Sequence, residues 1–309
     1  MLATKCYAVK KGMVIKMRIV AVDIGGTAIK SGIWNGTNLS ELKETETKAH
    51  EGGLALLCRV KGILRSYGSF DGIGVSTAGQ VNTCDGSIYY ANSNLPEYTG
   101  IQVKHILEEE FHVPVFVEND VNSAALGEMY FGAAKNLSEF LCVTYGTGIG
   151  GAIVIDGKVY SGSTFGGGSF GGIVTHPEKI DGSEFSGCYE KFASVTALVS
   201  SVRKVFPELN DGRRIFEAIG SPEVRILVDK WIDEVSFGLI TLIHIFNPSD
   251  IILGGGIMSQ PYIIEKLKTA ISRNVSSQWN GVVLHQAKLG NTAGLVGVAV
   301  KTDRIIRGS

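Results

Sequence analysis

The chain has 309 residues, which is enough for two domains and too many for one ordinary core. Hydrophobic residues make up 44% and charged residues 19% of the sequence, a globular composition without the bias of disordered chains. The formal net charge of −1 predicts no general attraction to nucleic acid or to an anionic membrane. No apolar run reaches the roughly 18 residues of a spanning helix. From the charge and the apolar runs together, neither nucleic acid nor a membrane is an expected partner.

Residues 1–16 mix Lys with short apolar stretches, but these are too short for a signal peptide and no small-residue cleavage pattern follows. We interpret them as an N-terminal extension, with Met17 as an internal start. The cysteines are dispersed without a CxxC pair, which is typical of a reducing compartment rather than a disulfide framework. They are Cys6, Cys58, Cys84, Cys142 and Cys188. These features predict a cytoplasmic protein.

The first half of the chain predicts an α/β unit that opens with a β-meander. An apolar run over residues 18–23 leads to Gly25 and Gly26, and the alternation that follows is typical of antiparallel strands. The predicted strands cover residues 18–23, 28–34, 38–47, 72–76 and 113–118, and the predicted helices 53–67, 101–111 and 120–132.

The same pattern of strand, glycine turn and hairpin starts again in the second half. A strand over 140–145, a glycine turn over 146–151 and a hairpin over 152–160 repeat the opening of the chain. Beyond them, the predicted helices cover 188–205, 222–246, 261–275 and 293–304, with a strand over 250–253. The repeat predicts an N-terminal lobe over 17–133 and a C-terminal lobe over 134–309, and it allows the last helix to cross back to the first lobe.

The motif DIGGTAIK, residues 23–30, lies at the end of the first predicted strand. Its glycines permit the backbone to approach phosphate, Thr27 offers a hydroxyl group, and Asp23 is placed to hold Mg²⁺ through water. A tight hairpin turn with an N-terminal Asp explains the motif equally well. The motif is not a P-loop, because GxxxxGK[ST] is absent and no helix follows directly.

Two further glycine turns follow strands in the second half. YGTGIGG, residues 145–151, carries more glycine than a hairpin turn requires, which favours phosphate contact through Thr147 and the neighbouring amide groups. IILGGG, residues 251–256, offers a backbone on which a nucleoside base can lie flat, and a strand-to-helix turn explains it equally well. Phosphate turns in two similar halves predict a nucleotide cleft between lobes.

Glu118, Asn119 and Asp120 close a predicted strand and open the next helix. Asn and Asp are common N-caps, and in isolation the capping interpretation is favoured. The functional alternative is a general base, in which Asp120 accepts the proton of a sugar hydroxyl group and Asn119 orients the ring. A positioned base contributes about 10²–10⁴-fold to a rate, and neutralisation of charge by Mg²⁺ supplies the rest.

Together these motifs resemble the ROK family (repressor, open reading frame, kinase) of the actin-like ATPase superfamily. The resemblance extends from Ile19 to about Val300. It rests on motifs in the family's order: VAVDIGGTAIK, GVSTAGQVN, VFVENDVNSAALGE, TYGTGIGGAIVIDGKVYSG, GCYEKFAS, ILGGGI and NTAGLVGVAV. It implies an α/β fold of two lobes with ribonuclease-H-like topology and an active site in the cleft between them.

The resemblance also implies the residues of that cleft, with Asp120 as the catalytic base. The implied sugar-binding residues are Asn94, Asn119, Asp120, Glu190, Ser169, Thr77 and Gly79. The implied ATP-binding residues are Asp23, Gly25, Gly26, Thr27, Lys30, Gly146, Thr147, Gly148, Gly254, Gly255 and Gly256. Mg²⁺ is expected near Asp23, through water.

The sequence departs from the family where typical members carry a zinc site. Ser169 and Gly172 stand in place of the Glu and His of the usual GE[IL]GH motif, and only Cys188 remains of the CxCGxxGC loop. One Cys cannot complete a tetrahedral structural site, so no zinc is expected. His176 is interpreted as a surface or turn histidine rather than a relocated ligand.

The resemblance predicts a kinase that transfers the γ-phosphoryl group of ATP to a hydroxyl group, with O6 preferred, of a hexose or N-acylhexosamine. Zinc-lacking N-acetylmannosamine kinases and β-glucoside kinases are similar in different motifs, so the acceptor sugar stays open. The alternatives are a kinase for a non-sugar acceptor, a non-catalytic sugar sensor, and a repressor. A repressor would carry a helix-turn-helix domain before Asp23, where only 22 residues stand. A homodimer is implied by the resemblance alone.

Overall fold

The computed structural model describes residues 17–276 and 281–308. The predicted N-terminal extension, with Cys6, lies outside the described residues. Within them, strands and helices gather into two α/β halves, each built on a five-stranded sheet. Among the described helices, none is long and apolar enough to cross a bilayer.

The first half begins with antiparallel strands and continues with alternating helices and strands. Its elements are β1 (Ile19–Ile24), β2 (Ala28–Trp34), β3 (Leu39–Glu46), α1 (Gly53–Arg65), β4 (Gly72–Thr77), β5 (Gln80–Asn82), β6 (Ser87–Tyr90), α2 (Val103–Phe111), β7 (Val115–Asn119) and α3 (Asp120–Phe131). The sheet order is β3-β2-β1-β4-β7, with β4 parallel to both β1 and β7. The apolar sequence of β1 is almost entirely buried, as a central strand covered on both faces requires.

The second half repeats this arrangement. Its elements are β8 (Phe140–Tyr145), β9 (Ile149–Ile155), β10 (Lys158–Val159), α4 (Tyr189–Ala193), α5 (Val195–Arg203), α6 (Gly212–Glu217), α7 (Pro222–Phe246), β11 (Asp250–Gly254), α8 (Pro261–Asn274), β12 (Val283–Gln286) and α9 (Ala293–Arg307). The sheet order β10-β9-β8-β11-β12 and the strand directions match those of the first sheet. The repetition confirms the predicted pair of ribonuclease-H-like halves.

Helices α3 and α9 pack closely against each other and join the two halves. Glycine makes this approach possible, because a Cβ on Gly127 would overlap the backbone of Ala293 and one on Gly297 that of Ser123. Helix α9 packs on the first sheet, whereas α3 also packs on the second sheet through Ala125. The N-terminal part of α3 is therefore packed between the two halves. The boundary between the lobes near residue 133, proposed from the sequence, stays a prediction.

The segment predicted as one helix over 188–205 forms two short helices, α4 and α5. The break occurs at Ser194, whose extended backbone interrupts the helix and whose Oγ accepts a hydrogen bond from the amide of Ala197 at 3.2 Å. The amide of Val195 is then free to donate to the carbonyl oxygen of Gly146 at 3.0 Å. The break thus places the start of α5 against the second glycine turn.

Candidate active site

Asp120 is the first residue of α3 and follows β7 directly. The N-cap of α3 is Asn119 rather than Asp120: Oδ1 of Asn119 accepts hydrogen bonds from the amides of Val121 and Asn122 at 2.9 and 3.1 Å. Asp120 is half-buried, and its Oδ1 accepts from the amide of Val121 and from Nδ2 of Asn119. The capping and the catalytic roles therefore fall on neighbouring residues.

Asp120 lies close enough to Asp23, at the end of β1, for the two carboxylates to interact. Burial, and then the charge of Asp23, raise the pKa of Asp120 to about 6. Burial also raises the pKa of Asp23, while the hydroxyl group of Ser76, which donates to Oδ1 at 2.6 Å, and the charge of Lys30 act in the opposite direction. Lys30 is the direct partner of Asp23 across β1 and β2. A carboxylate that is ionised at neutral pH with a raised pKa is suited to general-base catalysis.

This coupling predicts a pH dependence. If Asp120 accepts the substrate proton, kcat/KM should fall about tenfold per pH unit below about pH 6. Asp23→Asn removes a like charge, so the midpoint of this acid limb should move to lower pH, whatever the loss of turnover. Glu118→Gln is the matched control, since it neutralises a nearby buried carboxylate that does not contribute to the pKa shift of Asp120. A midpoint that stays in place or rises in Asp23→Asn would contradict the interaction.

The first glycine turn connects β1 to β2 and is fixed from both sides. The amide of Gly25 donates to the carbonyl oxygen of Ala28 at 3.0 Å, and the hydroxyl group of Thr47 donates to the carbonyl oxygen of Gly25 at 2.6 Å. Gly26 and Thr27 are exposed at the tip of the turn. Their amide and hydroxyl groups are therefore accessible to an anion.

The second glycine turn connects β8 to β9 and lies against Glu190 and against Val121, the residue after Asp120. A Cβ on Gly148 would overlap the carboxylate of Glu190, and the next amide in the turn donates to Glu190 Oε2 at 3.0 Å. A Cβ on Gly150 would overlap Cγ2 of Val121, the residue after Asp120. The turn, the helix start and Glu190 therefore form one surface.

The third glycine segment follows β11 and packs on the end of β8. Gly255 has φ of 101°, and a Cβ at this position would overlap the backbone carbonyl group of Tyr145. A Cβ on Gly254 would lie 3.0 Å from Cγ2 of Thr144, whereas one on Gly256 would meet nothing within 4 Å. Only glycine fits at position 255, and its presence brings the third segment beside the second turn.

A cavity of about 1060 Å³ opens between the second turn and the third segment. Gly146, Thr147 and Gly256 line it, and Thr147 is held in place because its carbonyl oxygen accepts from the hydroxyl group of Thr196 at 2.8 Å. The sequence alone did not reveal the other walls, which come from α5 and the start of α6. They include Val195, Thr196, Arg203, Lys204, Asn210 and Arg213. Arg203, Lys204 and Arg213 outnumber Asp211 among the lining residues, so the cavity wall carries net positive charge at the end of α5 away from Thr147.

Two of the predicted sugar-binding residues lie at the turn between β4 and β5. The carbonyl oxygen of Gly79 accepts a hydrogen bond from Nδ2 of Asn119 at 3.0 Å, which places this backbone beside the helix start. Thr77 is fully buried, and its hydroxyl oxygen lies 3.1 Å from that of Tyr98. The side chain of Thr77 is thus part of the core, where it packs below the turn and pairs with Tyr98.

The two remaining predicted sugar ligands lie in exposed loops. The amide of Asn94 donates to Oδ1 of Asn92 at 3.1 Å in the loop after β6. Ser169, between β10 and α4, donates from Oγ to the carbonyl oxygen of Gly166 at 2.8 Å. These hydrogen bonds are local to each loop. Hydrogen bonds and packing contacts link Asn119, Asp120 and Glu190 around the second glycine turn, whereas the hydrogen bonds of Asn94 and Ser169 stay within their own loops.

Comparison with known proteins decides the family. The ROK family profile matches residues 19–304. The chain belongs to the ROK family. A β-glucoside kinase of Listeria innocua is 33% identical over 292 residues, which cover 91% of this ROK chain and 96% of that protein.

Two solved structures share the fold of this ROK chain. A candidate N-acetylmannosamine kinase of Listeria monocytogenes superposes with a TM-score of 0.83 at 30% identity, covering 92% of this chain and 98% of that one. A ROK family glucokinase of Streptomyces griseus, in complex with glucose and AMPPNP, gives a TM-score of 0.80 at 27% identity, with coverage of 93% and 99%. The fold is the two-lobed actin-like ATPase fold that the sequence predicted.

The segment of this ROK chain that aligns with the family's zinc loop is held by its own contacts. Oδ1 of Asp181 accepts from the amide and the hydroxyl group of Ser183 at 2.9 and 2.6 Å. His176 does lie at a turn, but it is half-buried, stacked on Phe192 with centroids 3.8 Å apart, and its Nε2 lies 3.5 Å from Oε2 of Glu234. Burial raises the pKa of Glu234. Across residues 17–276 and 281–308, no three His, Cys, Asp or Glu side chains are grouped to hold a metal.

Proposed function

We propose that this ROK protein is an ATP-dependent sugar kinase that phosphorylates a hydroxyl group, O6 by preference, of a hexose or N-acylhexosamine. One observation carries the proposal: Asp120 lies between the two glycine turns. It is coupled to Asp23 at the base of the first turn, and it adjoins the second turn through the contact of Val121 with Gly150. Two phosphate-binding turns that flank a carboxylate with a raised pKa are what transfer to an alcohol requires.

The nucleotide is assigned to the cavity beside the second turn. Its volume of about 1060 Å³ is ample for a nucleoside and phosphates, with the base near Gly256 and the phosphates toward Thr147 and Thr27. The Streptomyces griseus glucokinase, whose structure contains AMPPNP, supports ATP as the phosphoryl donor here. Asp23 supplies a carboxylate oxygen suited to Mg²⁺ held through water and phosphate oxygens, and the ion would neutralise charge on the transferred group.

Asp120 is the general base of the proposed reaction. Its carboxylate takes the proton of the sugar hydroxyl group as that oxygen forms a bond to the γ-phosphorus, and the bond from γ-phosphorus to the bridging oxygen breaks to release ADP. Asn119 fixes the carboxylate through the hydrogen bond from Nδ2 at 2.8 Å. The products are a sugar phosphate, ADP and a proton, which leaves Asp120 when the cleft opens.

Acceptor recognition is assigned to side chains around Asp120. Glu190 offers a carboxylate oxygen to ring hydroxyl groups, and Ser169 and Asn94 would approach from their loops. The side-chain amide of Asn119 is already bonded to Gly79, to Asp120 and to the first amides of α3, so its part is to orient Asp120 toward the ring. Replacement of the family's usual Glu by Ser169 removes one charged acceptor. The similarity to the Listeria innocua β-glucoside kinase supports β-glucosides as the alternative acceptor class.

We also propose that the protein is cytoplasmic and forms a homodimer. Light scattering of the purified protein would test the dimer.

A coupled ADP-release assay tests the proposed kinase function. The purified protein is supplied with ATP, Mg²⁺ and, in turn, glucose, N-acetylmannosamine, N-acetylglucosamine, mannose, fructose and cellobiose. We expect ADP release that depends on at least one sugar and yields the sugar 6-phosphate. A protein that binds a sugar while ATP stays intact would be a sensor, and the kinase proposal would fail.

A further inference from the structure

Exposed aromatic side chains from both halves meet near the proposed sugar site. Tyr89 on β6 is 49% exposed, and its ring contacts that of Phe165 edge to face, with centroids 5.5 Å apart. Phe165 belongs to the loop between β10 and α4 and is half-buried. These two residues, the aromatic pair, connect the first half of the molecule to the second at a solvent-facing position.

A series of contacts between neighbouring residues links the aromatic pair to the start of α3. The carbonyl oxygen of Gly79 accepts from Asn119, and Gln80 follows at the start of β5. A Cβ on Gly166 would lie only 2.9 Å from Nε2 of Gln80, so the residue after Phe165 touches the residue after Gly79. The partner of Gln80 across the hairpin is Tyr90, next to Tyr89. The aromatic pair therefore lies at the rim of the cleft that holds Asp120.

The backbone at Phe165 adopts a conformation that does not favour a bulky side chain. Its φ is 61°, in the left-handed region that a bulky side chain rarely adopts. Glycine occupies the next three positions of the loop, and glycine would adopt this conformation without strain. Local backbone preference therefore does not explain the aromatic ring at position 165.

We propose that the aromatic pair binds the second ring of a β-linked disaccharide or aryl β-glucoside whose first ring lies beside Asp120. This inference rests on the proposed kinase function and narrows its acceptor class. A β-linkage leaves the two pyranose rings extended, so the C–H face of the second ring can stack on an aromatic side chain. The amide of Gln80 and the hydroxyl group of Ser169 lie next to the pair and supply the few polar contacts that such a site needs.

The test compares kcat/KM for cellobiose, maltose and glucose in the wild type, Phe165→Gly and Tyr89→Ala. We expect cellobiose to exceed maltose in the wild type, and the ratio of cellobiose to glucose to fall about tenfold in each variant. Phe165→Gly relieves the left-handed strain but loses the contact with Tyr89 and gives the unfolded chain more freedom, so its thermal unfolding should lie close to that of the wild type. Thermal unfolding of each variant checks that the loss is not a loss of fold.

Phe131→Ala is the matched control. Phe131 forms a similar edge-to-face pair with Trp34, with centroids 5.1 Å apart, at the opposite end of α3 from Asp120 and about 16 Å along the helix. This variant should keep the wild-type ratio of cellobiose to glucose.

The outcomes separate the inference from the kinase proposal. Phosphorylation of glucose with no use of cellobiose, or an equal loss on both sugars in the two aromatic variants, would overturn the subsite and leave the kinase intact. The absence of ADP release with every sugar would overturn the kinase, and the subsite with it.

Discussion

Asp120→Asn is expected to lower kcat by about 10²–10⁴-fold while the affinity for sugar is largely kept. The amide has nearly the shape of the carboxylate and can still accept the hydrogen bond from the amide of Val121, but it cannot take the substrate proton. Steady-state ADP release gives kcat, and calorimetric titration with the sugar gives the affinity. Asp303→Asn, which removes a carboxylate paired with Arg307 in α9, should turn over like the wild type.

Turnover by Asp120→Asn within a factor of a few of the wild type would exclude Asp120 as the base. A large loss of sugar affinity with kcat unchanged would instead assign Asp120 to ground-state binding alone.

The same substitution should stabilise the protein at neutral and higher pH. Because the pKa of Asp120 is higher in the folded protein than in the unfolded chain, ionisation of Asp120 destabilises the folded state. This cost is absent below the unfolded value of 3.8 and is complete above about 6. Asp120→Asn should therefore raise the free energy of unfolding by about 1 kcal/mol at neutral pH and change it little in acid. Urea titrations at the two pH values would show it.

Gly255→Ala is expected to lower the free energy of unfolding by about 3 kcal/mol and to weaken nucleotide binding. The methyl group would overlap the backbone carbonyl group of Tyr145, and φ of 101° is strained for any residue with a Cβ. To relieve the overlap, β11 must move from β8, which distorts the wall of the nucleotide cavity. Urea denaturation measures the stability, and fluorescence titration with a labelled ATP analogue measures the binding.

Gly256→Ala provides the matched control one residue further on. A Cβ there meets nothing within 4 Å, so the free energy of unfolding should change by less than about 0.5 kcal/mol. Equal stabilities for the two variants would show that the glycine segment is not packed as described.

The duplicated architecture could be predicted from the sequence because both copies carry the same local signals. An apolar strand, a glycine turn and a hairpin occur at Ile19 and again at Phe140, and each signal lies within about twenty residues. The motifs around Asp120 could be found for the same reason. The hairpin β5–β6 and the helix α6 escaped prediction because three to six residues are too few for periodicity to show.

The contacts that complete the site join residues far apart in the chain, which local patterns do not encode. The amide of Val195 meets the carbonyl oxygen of Gly146 because α4 ends at Ser194, and a Ser inside an apolar helical pattern does not by itself announce a break. Thr77 lies on the same face of β4 as Ile73 and Val75, but the residue that pairs with its hydroxyl group, Tyr98, belongs to a distant loop. Which of Asn119 and Asp120 caps the helix also depended on the dihedral angles at the end of β7.

A crystal structure of the protein with AMPPNP, Mg²⁺ and an accepted sugar would test the central claim most directly. The account predicts the γ-phosphate between the turns at Gly26 and Thr147, and the reacting sugar hydroxyl oxygen within about 3.2 Å of the Asp120 carboxylate. A sugar bound with that oxygen out of reach of Asp120, or a nucleotide that contacts neither glycine turn, would contradict it.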